Sequence, residues 1–438
     1  MQFRVAILGC GTVGGGVARI LLEQRDALRE RAGQDIQLAR IVDLFPEQSS
    51  RRHGLPRELY AGAGADLTQQ QADAEIQRIL EDPSIDLVVE TIGGSGAAIL
   101  ATTRGTLEHG KHLVTANKAL LAKHGEELLG TARKHGKGIG FEAAVSAAIP
   151  IIKVLNECLT GDEIQSISGI MNGTSNYILS KMASDAQSFD AALRDAQAKG
   201  YAEADPTLDI NGGDAGHKLT LVLRLAFGLD VEFEDLPRRG IDTVTAGDVA
   251  FAHEMHGVIK LICHAQRVGD SVHAAVTPMI VKRTNLLSKI DGATNAIRVI
   301  GRYAGEIVLI GQGAGSLETG SAIVSDIVFL ARHGEHALPR PVATGFRLRP
   351  LGELRLPYHI VFETADMPGM TGIVATAIGR QDINIDTVSH NRHEVDHAEF
   401  AIATMPCTRS QVERAVKDIQ GNHPGSLLSE PRVLPILV

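Results

Sequence analysis

Tryptophan is absent from this 438-residue chain and aromatic residues make up only 4% of it, so the core must be mainly aliphatic. Few aromatics also leave little with which to stack on nucleic-acid bases. There is no basic excess: 43 Lys and Arg stand against 52 Asp and Glu, a net charge of -9. That balance argues against a phosphate backbone as partner. The 4 cysteines, Cys10, Cys158, Cys263 and Cys407, lie far apart and form no CxxC pair. Neither a zinc ribbon nor a disulfide scaffold fits, and the pattern suits a reducing cytoplasm. Cys158, with no base beside it in sequence, reads as a buried small residue. His253 and His256 fall one residue short of the zinc-binding HExxH spacing. No apolar run reaches the roughly 18 residues of a membrane span. Glycines break the first apolar stretch too early for a signal peptide. The expectation is a soluble, cytoplasmic protein with no membrane partner, long enough for two or three domains at about 150 residues each.

What is present is an alternation of short apolar strands and helices. Residues 3–8 (FRVAIL) read as a buried strand, and a glycine run then opens a helix with Val17, Ile20, Leu21 and Leu28 at helical spacing. Further strands are expected at 38–42, 85–90 and 111–115, with one more in the stretch from Gly136. Strands separated by helices mean βαβ units and a parallel sheet. Residues 1–150 are therefore expected to form an α/β, Rossmann-type, doubly wound dinucleotide-binding domain. From 151 to 316 the alternation is lost, and an α+β catalytic and dimerisation domain is expected. Its helix 214–227 places Leu219, Val222, Leu223, Ala226 and Phe227 on one face. Residues 317–335 read as a helix returning to the nucleotide domain and 336–357, with Pro339, Pro341, Pro350 and Pro357, as a linker. Residues 358–438 read βαββα with a last strand near 432–437, a ferredoxin-like order. His390, His393 and His397 fall around a hairpin there and read as solvated loop positions.

The first chemical motif is Gly9-Cys10-Gly11-Thr12-Val13-Gly14, directly after a strand and opening a helix. In that setting Gly9 permits the tight turn, Gly11 lets backbone approach a pyrophosphate, and Gly14 allows close strand–helix packing. The phosphates would rest on the helix N-terminus. Asp43, ending the second strand, suits the adenosine ribose of NAD, while Arg51 and Arg52 could hold a 2′-phosphate. NAD and NADP both stay open. Thr91 follows the strand 85–90, and Thr115-Ala116-Asn117-Lys118 follows the strand 111–115. Strand ends of one sheet face the ligand crevice, so Lys118 can point at nicotinamide or substrate; a surface lysine at a helix start is the plainer alternative. The densest polar stretch, 199–218, carries Glu203, Asp205, Asp209, Asp214 and Lys218. Asp214 and Lys218 share a helix face at i,i+4. The carboxylate would keep the lysine charged, and a charged lysine can donate a proton to a developing alkoxide. A solvated surface pair would show the same spacing.

Several motifs together, GCGTVGGG, TANK, GIMNGTSNYIL, KGYAEADPTLDINGGDAGHKL and GAG followed by TGSA, resemble the homoserine dehydrogenase family over residues 3 to about 330. The last 80 or so residues resemble an ACT regulatory domain. The resemblance implies reversible NAD(P)H-dependent reduction of L-aspartate 4-semialdehyde to L-homoserine, in threonine, methionine and isoleucine biosynthesis. It makes Lys218 the proton-transferring lysine with Asp214 its partner, Glu203 and Asp209 substrate ligands, and Lys118 the lysine near nicotinamide and substrate. Gly315 belongs to a late cofactor motif, in which Gln312 and Glu318 stand where the family often has proline. Val42 stands where the family often has an arginine before Asp43, which weakens the case for NADP. The loop 141–150 matches one whose carbonyls hold sodium, here Glu142, Val145, Ala147 and Ile149. Asp366, Gly369, Asn384 and Ile385 correspond to a threonine site between paired ACT modules, and a homodimer or homotetramer is implied. Three rivals remain. An aspartate-semialdehyde dehydrogenase would need an activated cysteine, an ACT-bearing hydroxyacid dehydrogenase a late His–Glu pair, and a non-catalytic nucleotide-binding amino-acid sensor no lysine–carboxylate set.

Overall fold

The computed structural model describes residues 2–62, 66–334, 345–394 and 397–438. Its first sheet is built from β1 (Gln2–Leu8), β2 (Asp35–Val42), β3 (Leu87–Glu90), β4 (His112–Thr115) and β5 (Ile139–Gly140). The order is β2-β1-β3-β4-β5, and every pair is parallel. The fully buried run LVVE in β3 is what a strand covered on both faces requires. The covering helices are α1 (Thr12–Glu23), α2 (Arg25–Ala32), α3 (Pro46–His53), α4 (Gln69–Glu81), α5 (Ala97–Glu108) and α6 (Lys118–Lys134). The chain reverses direction across the sheet between β1 and β3, so a ligand crevice opens beyond their carboxyl ends. The helix expected through Leu28 breaks at Gln24. The strand expected from Gly136 is only the two-residue β5, because the chain turns into a 3-10 turn at Glu142–Ala144.

The second sheet holds β6 (Ile164–Ile170), β7 (Gly257–Val268), β8 (Ser271–Lys282), β9 (Thr294–Gly301) and β10 (Gly305–Gln312). Between them run α7 (Ile151–Lys153), α8 (Gly173–Ser184), α9 (Phe189–Ala198), α10 (Thr207–Ile210), α11 (Gly213–Phe227) and α12 (Ala246–Glu254). On α11, Leu219, Val222, Leu223 and Phe227 are buried, whereas Ala226 is half-buried. A further helix, α13 (Ser316–His333), packs back along α1. Gly320 makes that approach possible: a Cβ there would lie 2.9 Å from the Gly16 carbonyl carbon.

Beyond it, β11 (Arg347–Pro350) pairs parallel to β8, so part of the stretch read as linker adds an edge strand. Pro339 and Pro341 lie outside the described residues. The chain ends in β12 (Tyr358–Ala365), α14 (Met370–Gly379), β13 (Ile385–Glu394), β14 (His397–Thr404), α15 (Arg409–Asn422) and β15 (Arg432–Leu437). Its strand order is β15-β12-β14-β13, and β15 also pairs parallel with β8, giving one 10-stranded sheet. His390, His393 and His397 stand in the paired strands β13 and β14 rather than in a loop. Cys158 is exposed, correcting its reading as a core residue: it closes a π-helical turn over Val154–Cys158 that buries only Leu155. Among the described residues no helix is long and apolar enough to cross a membrane.

Candidate active site

The glycine turn sits at the carboxyl end of β1. Gly9 has φ +84, and its amide donates to the Val42 carbonyl at 2.8 Å. A Cβ on Gly14 would collide with the Gly9 carbonyl oxygen and lie 2.8 Å from Thr91 Oγ1, whereas one on Gly11 would meet nothing within 4 Å. Gly11 thus leaves open space over the start of α1, whose N-cap has no side-chain partner. Free amides and an open approach suit a pyrophosphate. Thr12 and Val13 form the first turn of α1. Thr91 Oγ1 donates to the Gly9 carbonyl at 2.7 Å and so fixes the turn to β3. Asp43 is engaged by its own surroundings, accepting from the Cys10 amide at 2.7 Å and the Phe45 amide at 2.8 Å. A carboxylate has further lone pairs for a ribose hydroxyl. Gly315, at φ 139, caps α13, and Ser316 Oγ donates to the Thr12 carbonyl at 2.6 Å. The late glycine motif therefore lies beside the first.

Thr115 is buried and donates to Glu90 Oε2 at 2.6 Å, while Glu90 Oε1 accepts from the amides of Ile92 and Gly93, each at 2.8 Å. This knot ties the ends of β3 and β4 together, and sequence reading passed over Glu90. Asn117 caps α6 and aims its amide at the Gly94 carbonyl. Lys118, the next residue, reaches across to Asp214 Oδ1 at 3.2 Å. Asp214 Oδ2 also takes Lys218 Nζ at 2.8 Å, and that ammonium donates a second bond to the Met171 carbonyl at 2.6 Å. Asn172 completes the cluster: its side-chain nitrogen donates to Asp209 Oδ1 at 2.7 Å and Asp214 Oδ2 at 2.8 Å.

Burial by itself would raise the Asp214 carboxyl, but the ammonium groups of Lys218 and Lys118 overcome it and hold the group below its usual range. Asp209 goes the other way: burial raises it, the Asn172 hydrogen bond opposes, and the neighbouring Asp214 charge adds to the rise. The arrangement is a shielded ammonium, 9% exposed at Lys218, with a fixed counter-charge. Such a donor can stabilise charge developing on a substrate oxygen. Glu203 is exposed and stands apart from this network. Asn172 and Met171 fall inside the GIMNGTSNYIL stretch, but no role was assigned to either; the local signal was Asn172 as N-cap of α8.

The loop before α7 is buried at Glu142, Val145, Ala147 and Ile149. Ser146 and Ala147 take φ 54 and 39, which re-aims successive carbonyls. The Glu142 side chain is spent on the amides of Ile152 and Lys153, leaving backbone oxygens as the available donors, a set suited to a hard monovalent or divalent cation. In the C-terminal unit, Gly369 has φ +88 and caps α14. The strand register, Ala365 opposite His397 but Ile385 opposite Thr404, puts Asp366 and Gly369 at one end of the sheet and Asn384 and Ile385 at the other. One chain does not bring them together.

Comparison with known proteins gives the family. Residues 9–142 match the family profile described as homoserine dehydrogenase, NAD binding domain, and residues 150–328 match that of homoserine dehydrogenase. The homoserine dehydrogenase of Neisseria gonorrhoeae is 36% identical over 422 residues, covering 94% of this chain and 93% of its own. That of Helicobacter pylori is 35% identical, covering 99% and 98%. The chain belongs to the homoserine dehydrogenase family. Among solved structures, the homoserine dehydrogenase of Thiobacillus denitrificans superposes with TM-score 0.89 at 32% identity, covering 100% of this chain and 98% of its own. A hyperthermophilic archaeal homoserine dehydrogenase in complex with NADPH superposes with TM-score 0.62 at 25% identity, covering 75% and 97%. The protein is accordingly an NAD(P)-dependent oxidoreductase, with a Rossmann-like parallel sheet joined to a mixed sheet.

Proposed function

We propose that Lys218 is the proton donor and acceptor in the reversible reduction of L-aspartate 4-semialdehyde to L-homoserine. The supporting observation is the cluster of buried Lys218 with Asp214 and the half-exposed Lys118, which joins α11 to the start of α6 just beyond β4. Gly9, Gly11, Thr12, Val13 and Gly14 would hold the pyrophosphate of a dinucleotide, Asp43 its ribose, and Thr91, Thr115 and Gly315 would form the walls of the cleft; the nicotinamide would supply or take the hydride. As charge grows on the aldehyde oxygen, Lys218 stabilises it and donates its proton. Asp214 keeps the ammonium oriented, and Lys118 adds positive charge from the nucleotide side. Asp209 and Glu203 bind the substrate's polar groups, with Glu203 moving inward from its exposed turn. Sodium held by the carbonyls of Glu142, Val145, Ala147 and Ile149 would brace the loop between the two sheets.

The units 1–150, 151–316, 317–335, 336–357 and 358–438 are read as nucleotide, catalytic, returning, connecting and ACT segments. The C-terminal βαββαβ unit fits a ferredoxin-like ACT module that binds threonine. Since Gly369 and Asn384 stand at opposite ends of its sheet, a second copy must complete the site, in keeping with a homodimer or homotetramer. Oxidation of NADH and NADPH, measured with aspartate semialdehyde in the presence and absence of threonine, tests the reading. Turnover with one or both cofactors supports it. Absence of turnover removes the enzyme assignment, and absence of both heat and inhibition with millimolar threonine removes the regulatory one.

A further inference from the structure

The cleft between α12 and the C-terminal sheet holds a cavity of about 300 Å³, well away from the Lys218 cluster. Along part of the boundary the two surfaces are packed dry, with Phe251 of α12 against Val361 and Ala401. Alongside this contact the packing stops, and the lining becomes polar: Glu254, Lys282, His359, Thr387 and Ser389 all face the cavity. His359 is 1% exposed, yet neither ring nitrogen has a hydrogen-bond partner among the described residues. Burial pushes its imidazole down to about 4, so at neutral pH it presents one N–H donor and one acceptor. Leaving both unpaired in the interior would forfeit the hydrogen bonds that each nitrogen makes in water. A buried polar side chain of this kind implies that something else supplies the partners.

The chemistry of the lining restricts what that is. Lys282 brings an ammonium that spends one bond on the Met255 carbonyl at 3.2 Å, Glu254 a carboxylate that also accepts from Ser389 at 3.5 Å, Thr387 a further hydroxyl, and Phe251 an apolar wall. A cation and an anion lining one cavity match a zwitterion rather than a simple anion or cation. The volume admits only a small molecule. We infer that this cavity is a binding site for a free α-amino acid with a polar side chain, whose carboxylate meets Lys282, whose ammonium meets Glu254, and whose side chain hydrogen-bonds the His359 imidazole beside Phe251. Neither Gly369 nor Asn384 lines the cavity. It adjoins the ion cluster that fastens the two parts, in which Arg432 contacts Asp248 of α12 at 3.0 Å and Glu399 of β14 at 2.6 Å. An occupant bridging α12 and β12–β14 would therefore tighten the same joint.

The full-length enzyme is titrated with each of the 20 standard L-amino acids at up to 10 mM, followed by thermal shift and calorimetry. The expected result is that at least one raises the melting temperature by several degrees. That response is weakened at least tenfold by Lys282→Met and by His359→Phe, and is retained in Asn384→Ala. Homoserine turnover in Lys282→Met and His359→Phe, at or near the wild-type rate, verifies that both remain folded. If His359→Phe does not fold, Lys282→Met carries the test. No response to any amino acid overturns the inference, as does a response that survives Lys282→Met or vanishes in Asn384→Ala alone.

Discussion

Asp214 is one carboxylate serving two ammonium groups, 2.8 Å from Lys218 and 3.2 Å from Lys118. Replacing it by Asn would leave the shielded Lys218 ammonium without its counter-charge beside a second cation. Asp214→Asn should lower kcat by roughly 10²–10³ while changing the dissociation constant for NAD(P)H little. The same carboxylate bears on stability. The flanking ammonium groups hold it below the ordinary carboxylate range, so it stabilises the fold above that range and loses the contribution only as the pH falls through the depressed value. Denaturation of wild type and Asp214→Asn should differ by about 3 kcal/mol at pH 6 and converge in strong acid; a constant difference down to acid pH would contradict the ion-pair account. The Asp214–Lys218 pair was legible because four-residue spacing on a helix fixes it. Asn172 and the Met171 carbonyl were not, because 42 and 47 residues separate them from their partners. Only the fold makes those contacts.

Among elements, the β1–α1 turn was the most legible, since its glycines answer local demands. Gly14 is the tightest case, lacking room for any Cβ between the Gly9 carbonyl and Thr91. Gly14→Ala should weaken NAD(P)H binding at least tenfold, read by fluorescence titration, and should destabilise the protein by about 1–3 kcal/mol. Unchanged affinity would mean that this turn is not the pyrophosphate seat. The strand expected from Gly136 shows where periodicity misleads. Apolar residues there serve the sheet edge at Ile139 and then the buried turn Glu142–Ala144, and a short apolar run does not distinguish the two. Likewise Cys158 looked like core by residue type, and its exposure depends on a π-helical turn that sequence pattern does not reveal.

Across the whole molecule, the Lys118–Asp214 pair links α6 of the first unit to α11 of the second, and the C-terminal unit is joined to the second by β15 against β8 and by Arg432 to Asp248 of α12. The order of elements in that unit was legible. Its continuity with β8 was not, because Ile436 pairs with Ile280 across a long stretch of chain. Arg432 contacts Asp248, Glu363 and Glu399 at 3.0, 2.7 and 2.6 Å and is 19% exposed. Arg432→Ala should cost about 2–4 kcal/mol by leaving partly buried carboxylates facing one another. It should also broaden or split the thermal transition seen by calorimetry; a single unshifted transition would show that the joint does not rest on this residue. The claim on which the rest depends is that the junction of the sheets places a proton-donating lysine over the reacting carbonyl. The most direct test is Lys218→Ala, with kcat measured on aspartate semialdehyde and NAD(P)H affinity measured separately. The account requires kcat to fall by at least 10² with cofactor affinity within about twofold of wild type, and turnover close to wild type would contradict it.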